Sequence, residues 1–162
     1  MLTQILQKTP VWVWALLAGL IALGYSQTRD RVVSQLRAML MPMAMVALSV
    51  YGTVSAFGVS PAVLGLWLVT AALLASWIMQ RPVPVNTRFD GAAKQYAIPG
   101  SWLPMIVILA IFLTKYAVGV SLAMRPSLAH DDVFPLVIGA LYGVFSGFFA
   151  GRTVRLWRLA LA

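Results

Sequence analysis

Cysteine is absent from this chain, and so is glutamate; its four acidic side chains are Asp30, Asp90, Asp131 and Asp132. The first absence excludes disulfides, thiolate metal sites, iron–sulfur clusters and a cysteine nucleophile. The second leaves general acid–base chemistry few actors, since histidine occurs once, at His130. Charge of any kind is scarce, at 10% of 162 residues against 61% hydrophobic. A soluble domain is about 25% charged. With a mean hydropathy of +0.88, too few polar groups remain to cover a globule in water, so lipid is the expected solvent. The motifs HExxH and GxSxG, a P-loop and a glycine-rich dinucleotide turn are also missing, so neither enzymatic activity nor a cofactor is expected.

What the chain does have is five apolar runs, near 10–26, 36–58, 61–79, 102–124 and 133–151. A spanning helix takes roughly 17–25 residues. The runs lack the period-two alternation of barrel strands, and only helices satisfy their own backbone in hydrocarbon. The expected fold is all-α, a polytopic transmembrane bundle of about five helices forming one domain. Thr9-Pro10 and Ser60-Pro61 read as a cap followed by a first helical residue, and Ser101 as the cap of the fourth run. The first run is short and could begin earlier, using Leu2, Ile5 and Leu6. Met1 to Pro10 carries Lys8 as its one side-chain charge and lacks a basic n-region, and no small-x-small cleavage site follows the first apolar run, so the first span is expected to stay in the mature protein. Pro42 falls inside the second run and should kink it.

Basic residues set the orientation. Arg29, Arg31 and Arg37 follow the first span, Arg81, Arg88 and Lys94 the third, and Arg152, Arg155 and Arg158 the fifth. Five crossings place these nine on one side, with Lys8 and Arg125 on the other. The positive-inside rule predicts N-terminus out and C-terminus in, with Trp12 and Trp14 near the outer interface and Tyr25, Trp77, Trp102 and Trp157 near the inner one. A net charge of +8 spread over three loops speaks for topology rather than nucleic acid, so no nucleic-acid partner is expected. The tail around Leu156, Trp157 and Leu159 reads as an amphipathic end whose Arg152, Arg155 and Arg158 meet anionic headgroups; a protein-docking tail is the alternative. The loop 80–101 holds either a small hairpin, turning at Asp90-Gly91 and returning over Lys94 to Ile98, or an irregular tether.

The residues Thr9-Pro10-Val11-Trp12-Val13-Trp14, Gln27-Thr28-Arg29, Pro99-Gly100-Ser101-Trp102-Leu103-Pro104 and Lys115-Tyr116 resemble a family of small uncharacterised bacterial inner-membrane proteins. The resemblance covers most of the chain. It implies a bacterial inner (plasma) membrane and carries no established activity.

Lys115 is the residue that most needs explaining. It stands near the middle of the fourth span, where a charge costs about 2.5–3.5 kcal/mol on insertion scales. Its candidate companions in a pathway or ligand site are Tyr116, Tyr51, Thr53 and Tyr142, with Ser49, Ser55 and Thr70 as further hydroxyls. Snorkelling to an interface is the plain alternative. Gly139, Gly143, Gly147 and Gly151 recur every four residues and mark a close helix–helix contact. Its partner could be Gly52 and Ala56, Gly119, or a second subunit. His130-Asp131-Asp132 reads as capping of the fifth helix, with no metal site expected. Two functions fit: a small transporter or channel with Lys115 in its pathway, or a non-catalytic accessory protein of a larger membrane complex. Expected partners are membrane lipids and either a homo-oligomer or that complex.

Overall fold

The computed structural model describes Gln7 and residues 9–162; Leu2, Ile5, Leu6 and Lys8 lie outside the described residues. The chain divides into two compact units, Met1–Asp30 with Gly100–Pro126 and Arg31–Pro99 with Ser127–Ala162.

The first unit pairs helices α1 (Val11–Ser26) and α4 (Leu103–Met124). A Cβ on Gly24 would meet Met105 Cγ at 2.9 Å, and the Thr9 and Tyr116 hydroxyls share a hydrogen bond of 2.6 Å. These two contacts make the pair antiparallel. Thr9 is therefore not the cap of α1: its hydroxyl is engaged with α4, Pro10 occupies the cap position with an extended ψ of 145°, and the helix starts at Val11. Ser101 likewise stands one residue before the cap position, which is Trp102. Its hydroxyl accepts from the Leu103 amide at 3.3 Å, while its own amide donates to the Gln27 carbonyl at 3.0 Å. Gly100 is obligatory there, because a side chain would collide with the Thr28 carbonyl.

The second unit holds β1 (Arg31–Ser34), α2 (Gln35–Phe57), α3 (Pro61–Met79), β2 (Arg88–Asp90), β3 (Gln95–Ile98), a 3-10 turn (Pro126–His130, whose first residue belongs to the first unit) and α5 (Phe134–Leu161). Ser34 and Ser60 cap α2 and α3 by accepting from the Arg37 and Val63 amides. Pro42 lies inside α2, which continues through it.

Helix α5 organises this unit. Gly139, Gly143, Gly147 and Gly151 are all buried and face α3. Added Cβ atoms would strike Val63, Trp67, Ala71 and Ala75 in turn, so the glycines match a second four-residue series on α3 one for one. The stripe's partner is thus α3 of the same chain, not Gly52 and Ala56 or Gly119. The matching register makes α3 and α5 parallel. Helix α2 runs antiparallel to α5, with Ser49 at Tyr142 and Phe57 at Phe134.

The hairpin of loop 80–101 forms and gains a third strand from the segment after α1: the order is β1-β3-β2, all antiparallel, with Val33 opposite Tyr96 and Phe89 opposite Tyr96. Alternation puts Arg31, Val33, Tyr96 and Ile98 on one face. The last turns of α5 lie on that face, where Leu156, Tyr96 and Ile98 form a small core flanked by Val33, Ala38, Phe89 and Ala160. Leu156 is therefore buried against the chain's own sheet rather than left for headgroups, while Trp157 and Arg158 stay exposed.

Four helices, α2 to α5, are long and apolar enough to cross a membrane, with 23, 19, 22 and 28 residues. Helix α1 is equally apolar but has 16 residues.

Candidate functional site

The described residues separate the sequence candidates. Lys115 and Tyr116 belong to the first unit, and Tyr51, Thr53 and Tyr142 to the second. Within the second unit, hydroxyls at depth serve packing. Ser49 on α2 donates to the Tyr142 carbonyl at 3.2 Å and accepts from the Trp67 indole at 3.1 Å, which ties together all three helices. Thr70 on α3 donates to the Ala140 carbonyl at 3.0 Å. Thr53, with 0% of its surface exposed, donates to the Ser49 carbonyl, and Ser146 to the Tyr142 carbonyl. Each hydroxyl meets a backbone carbonyl, which is how polar side chains are held in an apolar interior. Tyr142 is buried among these helices, whereas Tyr51 is 71% exposed and stands outside the network.

Trp67 and Ser146 were not read from the sequence as members of this set. A signal existed for the first. Trp67 is the seventh of the 19 residues of α3, away from the interfacial belts, and an indole N–H at that depth needs an acceptor.

In the first unit, Lys115 is the thirteenth of the 22 residues of α4 and is half-buried. Next to it, Tyr116 stacks on Phe112 with ring centroids 6.3 Å apart and reaches Thr9 at the start of α1. That bond fixes a level along α4: the eleven residue steps from Met105 to Tyr116 rise about 16 Å, about half of a hydrocarbon core of about 30 Å. The α1 start is pinned at Tyr116, next to Lys115 in the chain, and its cap residue, Pro10, makes no side-chain cap bond. The positive end of a helix dipole and an ammonium-bearing residue are thereby placed at one level. Positive potential from two sources at one level of a fold suits an anionic ligand better than either source alone.

At the start of α5, Asp131 accepts from the Phe134 and Val133 amides at 2.8 and 2.9 Å, and these bonds hold its carboxyl below the usual carboxylate range. It borders a groove of about 240 Å³ shared with His130, Asp132, Ser60 and Phe57.

The family of unknown function DUF6622 matches over residues 1–162, the whole length of the chain. The chain belongs to that family. No curated protein and no solved structure matches it. As a DUF6622 member the chain is a mostly helical protein with four candidate spans, and the family supplies no activity with which to read Lys115.

Proposed function

We propose that this protein is a small anion transporter or channel of the bacterial inner membrane, crossing five times with N-terminus out and C-terminus in. Lys115, Tyr116 and the start of α1 form its intramembrane site. The observation that carries the reading is the Thr9–Tyr116 hydrogen bond, which brings the positive end of α1 to the level of Lys115. Broken or short helices whose N-termini point at anions near the midplane are a recurring transporter device.

The crossing number draws support from direction. Parallel α3 and α5 oblige the chain between them to return one helix length, and α4 is the apolar helix in that stretch. Orientation draws support from the nine basic residues and from Arg29 over Tyr25 and Arg81 over Trp77, at 5.2 and 4.4 Å, at the ends of α1 and α3.

Reconstituted wild-type protein should pass chloride, phosphate or acetate across liposomes, and Lys115→Ala should reduce that flux at least about tenfold, as loss of an intramembrane charge site would. Equal flux in wild type and Lys115→Ala would refute the pathway role.

A second reading is an accessory subunit of a larger membrane complex. It is favoured by the length of α1, whose 16 residues rise about 24 Å against a core of about 30 Å. The glycine stripe does not serve this reading, being occupied by α3.

A further inference from the structure

The sheet-and-helix layer of the second unit gathers arginines at one end. Arg31 opens β1 opposite Ile98 and shares a face with Val33, Tyr96 and Ile98, the face covered by Leu156. Arg152 precedes Leu156 by four residues on α5, so both project from one side of the helix. Arg152 lies within electrostatic reach of Arg31 and Arg155, and Arg31 within reach of Arg37. Arg31, from the strand, thus stands near Arg152 and Arg155, from the last turns of α5, and Arg37, in the first turn of α2, stands near Arg31.

Arg31 makes an interaction of its own within the fold. Asp30 accepts from the Gly100 amide at 2.7 Å, Asp90 accepts from Ala92 and Ala93 in its own turn, and Asp131 sits at the opposite end of α5. Arg155 spends one guanidinium nitrogen on the Pro82 carbonyl at 3.1 Å, while its buried Nε has no hydrogen-bond partner among the described residues. A buried cationic donor left over, inside a group of like charges, is a cost that a multivalent oxyanion removes.

We propose that Arg31, Arg152 and Arg155, with Arg37 at the rim, form a binding site for a phosphate group. The planar forks of arginine suit phosphate oxygens, and three elements fix them in place. Exposed Arg158 is outside the site. The site lies wholly within the second unit and does not depend on the role of Lys115. Its phosphate comes either from the headgroup of an anionic lipid or from solution.

The full chain in mild detergent is titrated with dioleoylphosphatidylglycerol, with dioleoylphosphatidylcholine as the zwitterionic control, and separately with inorganic phosphate against chloride at equal ionic strength. Native mass spectrometry and melting temperature are the readouts. Phosphatidylglycerol should bind at least about tenfold more tightly than phosphatidylcholine if the source is lipid, and inorganic phosphate should raise the melting temperature above chloride if it is soluble. Arg31→Gln with Arg152→Gln should remove whichever response is seen. Arg152→Lys, which keeps the charge and the fold but loses the fork, should weaken it about threefold or more. Arg158→Gln should leave it within about twofold of wild type. A wild type that responds to neither phosphate source overturns the site, as does an Arg158→Gln loss equal to that of Arg152→Lys.

Discussion

The two units keep themselves together by different means. In the second, backbone lies against backbone: Gly143 and Gly147 admit the Trp67 and Ala71 carbonyls so closely that a single methyl group has no room. Hydroxyls of Ser49 and Thr70 then stitch the three helices to one another. In the first, α1 meets α4 through Gly24 against Met105 at one end and one tyrosine–threonine hydrogen bond at the other. Where α2, α3 and α5 meet at depth, the one ionisable group among the described residues is the phenol of Tyr142, whereas the sparsely joined unit carries Lys115. Close packing and an expensive charge are thus assigned to different parts of one chain.

Substitutions sharpen this contrast. The largest effect is expected at the stripe. Gly143→Ala or Gly147→Ala should destabilise by about 1–3 kcal/mol, because the new methyl must displace a backbone carbonyl. Denaturation in mixed micelles measures it, and an unchanged midpoint would mean the α3–α5 contact is looser than described. Next comes Ser49→Ala, which strands the Trp67 indole and should cost about 0.6–1.7 kcal/mol, the range for hydrogen bonds between membrane helices. Tyr116→Phe should cost less, about 0.5 kcal/mol, and should speed amide exchange in α1 while leaving α3 and α5 alone. Exchange rising equally in both units would dissolve the distinction. Gly65→Ala, where a Cβ meets nothing within 4 Å, should stabilise slightly if it does anything.

Much of the second unit was legible because hydropathy and four-residue spacing are local. Its partner assignments were not. The surface that receives the stripe is Val63, Trp67, Ala71 and Ala75, of which only the last two are small, so a search for small residues looks past it. Strand β1 also escaped the reading, since Arg31-Val32-Val33-Ser34 is four residues long and is ordered by β3, which follows some sixty positions later. Hairpin residues such as Phe89 and Tyr96 looked marginal in isolation; burial under Leu156 supplies what a lone hairpin lacks. At the candidate site, the position of Lys115 within an apolar run was plain from sequence. Its level relative to the start of α1 was not, because that depends on one contact between residues 107 positions apart.

The absence of cysteine makes the central claim directly measurable. Lys115→Cys, in otherwise native protein in intact membranes, is exposed to a membrane-impermeant thiol reagent alongside control cysteines placed in the loops. The account predicts labelling at a rate within about tenfold of the loop controls, blocked by a small anion that the protein carries, because water and ligand reach the start of α1. A Lys115→Cys thiol that stays unreactive beside normally reactive loop cysteines would contradict it and leave Lys115 sealed from the aqueous phase.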